Sequence, residues 1–89
     1  MNLCEVVQAK NTSSATMEVA MEFATQVKRQ PVQCKDTPGF IVNRLLVPYI
    51  AQALCMYDRK ECSKESMDVA MQNGAGMPMG PLTLAVCGV

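Results

Sequence analysis

Apolar positions along the chain change their spacing more than once, and each change predicts a different element. Leu3, Val6 and Val7 lie in the short run NLCEVVQ (2–8), which gives way to the polar cluster Lys10-Asn11-Thr12-Ser13-Ser14. A short run with β-branched residues, bounded by polar ones, predicts a strand, with Glu5 in its middle. Thr12 to Ser14 then offer helix N-caps. Met17, Ala20, Met21, Ala24 and Val27 follow at helical spacing, which predicts a helix over 14–29. Lys28 and Arg29 close it, where cations suit the helix dipole. Pro31 opens a second extended run, PVQCKD (31–36). Strand, helix and strand with short connections predict a βαβ unit with parallel strands. Two strands do not make a stable sheet alone, so further strands are expected from outside this sequence.

Beyond Asp36 the pattern becomes helical. Thr37 is placed to cap a helix with Pro38 at its first position. Phe40, Ile41, Val42, Leu45, Leu46, Val47, Ile50 and Leu54 make the segment from Phe40 to Asp58 apolar on two sides, as in a buried helix. Pro48 lies inside it and is expected to bend it. Ser63 begins a third helix, with Glu65 near its start and Met67, Val69, Ala70 and Met71 as apolar residues, ending at Asn73-Gly74. Gly76-Met77-Pro78-Met79-Gly80-Pro81 reads as a rigid turn, and Pro81 as the start of a fourth helix. The expected fold is therefore mixed: the end of an α/β domain over 1–36, then the opening helices of an all-α domain over 37–89. An apolar half-helix, Leu82 to Val86, suits a piece of a larger protein better than an independent one.

Composition narrows the function. Eight basic and eight acidic residues among 89 give zero net charge, with no run of either sign. A nucleic-acid reader normally carries a basic face, and no cationic amphipathic stretch marks a membrane surface; neither partner is expected. No stretch approaches the length of a membrane span, and MNLCEVVQAK lacks the basic start and long apolar run of a signal peptide. Eight methionines are read as adaptable core filling. The five cysteines, Cys4, Cys34, Cys55, Cys62 and Cys87, show no C-x-x-C spacing, and there is no histidine. No metal site is expected, and free thiols point to a reducing compartment.

Candidate chemistry sits in DTPGFIVNRL (36–45), where Asn43 and Arg44 interrupt an apolar segment. Burying either group without partners costs roughly 1–3 kcal/mol for the amide and more for the charge. Asn43 is either a buried amide satisfying backbone near Pro48 or a ligand-binding group. Arg44 reads as a structural ion pair or a snorkelling side chain. Glu5 is either a solvent-facing strand glutamate or a functional carboxylate.

The runs KDTPGFIVNRLLVPYIAQAL (35–54) and SKESMDVAMQNGAGMPMGPLTL (63–84), with EVV (5–7) and PVQCKD (31–36), closely resemble the L-3-hydroxyacyl-CoA dehydrogenases, nearest the short-chain mitochondrial type. The resemblance covers nearly the whole chain. It implies a Rossmann-like NAD-binding domain ending near residue 36 and a helical, dimerising domain beginning there. It implies NAD-dependent oxidation of L-3-hydroxyacyl-CoA to the 3-keto form in β-oxidation, an acyl-CoA substrate, a homodimer, and a mitochondrial matrix location, or the cytoplasm in a bacterium. Asn43 matches the family's substrate-contacting asparagine. Glu5 matches the glutamate of its His-Glu dyad, which orients a histidine base much as the acid of a Ser-His-Asp triad does.

The departures are as specific as the matches. The histidine, the G-x-G-x-x-G turn and the ribose-binding acid are absent, and Gly74-Ala75-Gly76 is a helix-end turn. AVCGV (85–89) leaves the family's pattern. The chain is expected to be a fragment that is inactive alone, or else a non-catalytic interaction module or pseudoenzyme remnant of the same family.

Overall fold

The computed structural model describes residues 2–87. Met1, with which the N-terminal reading begins, and Gly88-Val89, part of the departing tail, lie outside the described residues. The chain forms two compact units that divide between Arg44 and Leu45.

The first unit is the predicted βαβ motif. Strands β1 (Leu3–Gln8) and β2 (Gln30–Lys35) pair in parallel, with Glu5 opposite Val32 and Val7 opposite Cys34. Helix α1 (Ser14–Gln26) joins them. Ser13 caps it, its hydroxyl accepting from Thr16 N at 3.1 Å. Met17 and Ala24 of the expected stripe are buried, whereas Val27, at the C-cap, is exposed. The helix ends earlier than the expected residue 29. Lys28 takes a left-handed φ of 62°, Lys28 N donates to Thr25 O at 3.0 Å, and Arg29 N donates to Ala24 O at 2.9 Å. Those two bonds are a Schellman closure, with lysine where glycine is usual.

Helix α2 (Val42–Asp58) begins in the first unit and continues in the second. Its start differs from the expectation. Thr37 does not cap it and Pro38 is not its first residue. Instead Thr37-Pro38-Gly39-Phe40 forms a β-turn, closed by Phe40 N donating to Thr37 O at 2.9 Å. Pro at the second position and Gly39 at φ 79° at the third are the signature of a type II turn. The expectation of a buried helix is also corrected. Only Ile50 and Ala53 of α2 are buried, while Leu45 is 71% exposed, Val47 50% and Leu54 48%. A chain this short has too few elements to cover both apolar sides.

In the second unit, α3 (Lys64–Gly74) and α4 (Pro81–Cys87) pack through Met67 and Leu82, which form a small core with Ala53 of α2. Ser63 caps α3 as predicted, accepting from Ser66 N at 3.1 Å. The left-handed glycine at its end is Gly76, not Gly74. Val69, read as apolar lining, is exposed because it lies off the stripe through Met67. The Tyr49 hydroxyl lies buried without a hydrogen-bond partner, and burial, then the Asp68 charge, push its pKa up. No described helix is long and apolar enough to cross a membrane.

Candidate functional site

Strand alternation decides where Glu5 points. Gln8 and Gln33 line a cavity with Met17 and Met21, so their sheet face is the one toward α1. Glu5 has the opposite parity and projects from the other face. There its carboxylate meets the start of α2. Oε2 accepts from Ile41 N at 3.2 Å and Oε1 from Val42 N at 2.9 Å. Glu5 is thus neither a solvent-facing strand residue nor a free one: both oxygens dock on backbone N–H groups that a helix start leaves unpaired. The partial positive charge of that terminus favours the carboxylate's position. A carboxylate has about four lone-pair sites, and two remain to accept from another donor.

Asn43 is the next residue along. Its side chain is exposed and makes no hydrogen bond among the described residues. The reading in which it satisfies backbone near Pro48 is therefore overturned. A free carboxamide donates to a carbonyl oxygen or accepts from a hydroxyl while adding no charge. Arg44 is likewise exposed, and it has no ion-pair partner among the described residues. Asn43 and Arg44 interrupt the apolar segment without a desolvation cost, because both are exposed. The fold thus brings a docked carboxylate and an unengaged carboxamide to one helix start.

Cys34 is buried on the sheet, and its thiol is pushed up by burial, then by the Glu5 and Asp36 charges, which leaves it a poor nucleophile. The described residues contain no disulfide and no cluster of groups able to hold a metal ion.

A dinucleotide is not accommodated by the turn from β1 into α1. That turn, between Gln8 and Ser14, has no glycine to admit a pyrophosphate. It is also closed on itself: Thr12 N donates to Ala9 O at 3.1 Å, Ala9 N donates to Thr12 Oγ1 at 3.2 Å, and the Ser13 hydroxyl is committed to Thr16.

Sequence reasoning missed a second docked carboxylate. Asp68, mid-way along α3, accepts from Leu82 N at 3.0 Å and from the Thr83 hydroxyl at 2.7 Å, and so caps α4. The Thr83 bond, aided by the Leu82 N–H, holds its carboxyl below the usual range against the opposing effect of burial. Gly80 leaves the room for it, since a Cβ there would overlap the Asp68 side chain, but nothing in the sequence pairs the two residues.

Two family models match the chain. The 3-hydroxyacyl-CoA dehydrogenase NAD binding domain matches residues 1–37, and the 3-hydroxyacyl-CoA dehydrogenase C-terminal domain matches residues 39–87. The mitochondrial hydroxyacyl-coenzyme A dehydrogenase of Sus scrofa is 54% identical over 94% of this chain and 27% of its own length. The 3-hydroxybutyryl-CoA dehydrogenase of Clostridioides difficile is 42% identical over 94% of this chain and 30% of its own. A crystal structure of the (S)-3-hydroxybutyryl-CoA dehydrogenase of Ralstonia eutropha superposes with a TM-score of 0.90 at 36% identity, covering 96% of this chain and 30% of that one. The chain therefore spans between a quarter and a third of the length of these relatives.

Proposed function

Because this chain belongs to the 3-hydroxyacyl-CoA dehydrogenase family, whose members are NAD-dependent oxidoreductases acting on acyl-CoA substrates, we propose that it contributes two groups to such a site. Glu5 is the acid that orients a histidine base, and Asn43 is the amide that positions the acyl-CoA substrate. The observation that carries this reading is the docking of Glu5 on Ile41 N and Val42 N, which brings its carboxylate to the same helix start that carries the exposed Asn43 carboxamide. The base and the dinucleotide turn come from outside these 89 residues, since the chain has no histidine and no Gly-rich strand-to-helix turn. The substrate class is an L-3-hydroxyacyl-CoA and the process is fatty-acid β-oxidation.

In the same reading, residues 1–36 are the end of the NAD-binding domain and 37–89 the opening of the helical one. Leu45, Val47 and Leu54, exposed along α2, support a homodimer through the helical part. Likeness to the mitochondrial enzyme of Sus scrofa supports a matrix location.

The test is a titration of the ¹⁵N-labelled chain with 3-hydroxybutyryl-CoA, with coenzyme A alone as control. A saturable shift of the Asn43 side-chain NH₂ that coenzyme A does not reproduce is expected. The same shift with coenzyme A, or a response confined to residues away from the α2 start, overturns the substrate-binding role.

A further inference from the structure

We infer that Glu5 and Gly39 are positioning residues that together fix where Asn43 sits, a role additional to any part Glu5 plays toward a base; the inference rests on the substrate-binding reading of Asn43. Helices α1 and α3 are capped locally, by Ser13 and Ser63, each three residues before the N–H it satisfies. Helix α2 has no such cap. The Thr37 carbonyl is committed to the turn through Phe40 N, and the helix's first free N–H groups are met by Glu5 from β1, 36 and 37 residues earlier in the chain. The first turn of α2 is therefore anchored to the sheet by one side chain.

Gly39 supplies the second anchor. Its carbonyl accepts from Arg44 N at 3.1 Å. Its φ of 79° suits glycine, and a Cβ there would come within 2.9 Å of Arg44 N and 3.0 Å of Arg44 Cα. Phe40 follows at φ 49°, a second left-handed residue, which a side chain adopts only when its surroundings hold it there. Asn43 thus lies between Val42, whose N–H Glu5 holds, and Arg44, whose N–H Gly39 holds, while its own side chain stays free. Loss of Glu5 consequently displaces the substrate amide as well as removing an orienting acid. Removing the room at Gly39 displaces the amide with Glu5 intact.

Amide hydrogen exchange in the labelled chain, without ligand, tests the clamp. Amides of the β1–β2 ladder report whether each variant is folded. Glu5→Ala is expected to speed exchange at Ile41 and Val42 about tenfold or more and to shift the Asn43 resonances. Glu5→Gln, which keeps one acceptor oxygen, gives an intermediate effect and decides the matter if Glu5→Ala does not fold. Gly39→Ala is expected to speed exchange at Arg44 and to move Asn43 in the same way. Unchanged exchange at Ile41 and Val42 in Glu5→Gln and Glu5→Ala overturns the clamp, as does faster exchange with Asn43 resonances in place. Addition of 3-hydroxybutyryl-CoA separates the two readings. If the variants displace Asn43 but the wild-type amide ignores the ligand, the clamp stands and the substrate role falls. If Glu5→Gln weakens ligand binding less than Glu5→Ala does, and in step with Asn43 displacement, both stand.

Discussion

Lys28 and Lys60 occupy positions that glycine normally fills. Each follows a helix C-cap at positive φ, 62° and 58°, and each helix closes with a Schellman pair; at α2 these are Lys60 N to Tyr57 O and Glu61 N to Met56 O, both 3.0 Å. A left-handed non-glycine residue costs about 1–2 kcal/mol, partly offset by a cation near the helix C-terminus. Lys28→Gly and Lys60→Gly are each expected to raise the free energy of unfolding by about 1 kcal/mol, read from urea melts. Neither position was legible in the sequence, because Lys28 reads equally well as the last residue of a helix with a favourable charge. Asn43 and Glu5 were legible as candidates, but only through the motif around them. Their bland alternatives, a backbone-satisfying amide and a strand carboxylate in solvent, failed for reasons of placement that spacing does not encode.

Helix starts show why some of the fold could be read and some could not. That of α1 was expected within Thr12 to Ser14 and that of α3 at Ser63, and the structure puts the caps at Ser13 and Ser63, because such a cap is local and its residue type is diagnostic. Those of α2 and α4 depend on carboxylates far away in the chain, Glu5 and Asp68, so local reading put the α2 start at Thr37 and left Asp68 unremarked. The second dependence has a pH signature. The Asp68 carboxyl is held below the ordinary 3.8 by its Thr83 and Leu82 bonds in the folded chain. Its contribution to stability is therefore fully present above that ordinary value and is lost as the pH falls through the lower folded one. Urea midpoints measured from about pH 6 down to about pH 2 are expected to fall more steeply below 3.8 for the wild type than for Asp68→Asn. Parallel profiles would leave Asp68 without a role in holding α4.

At the scale of the whole molecule, two small units expose much of their apolar surface, Phe23 and Val27 in the first and Leu45, Val47 and Leu54 in the second. The βαβ motif and the four helices were legible from periodicity. The degree of burial was not, because a pattern that is apolar on two sides describes a helix meant to be covered twice, and these residues cover it once. The exposed strand edges and helix faces predict self-association, seen as a concentration-dependent sedimentation coefficient. They accompany a second expectation, that the purified chain shows no NAD-dependent oxidation of 3-hydroxybutyryl-CoA above background, since it carries no histidine base. The most direct measurement supplies what is missing. Residues 2–87 are substituted for the matching stretch of the Sus scrofa enzyme, which they resemble at 54% identity, and oxidation of 3-hydroxybutyryl-CoA is followed in the chimera. Turnover that falls by about 10²-fold or more in both Glu5→Gln and Asn43→Ala is predicted. A folded, NAD-binding chimera that is inactive, or one that turns over as fast after either substitution, contradicts the assignment of those two residues.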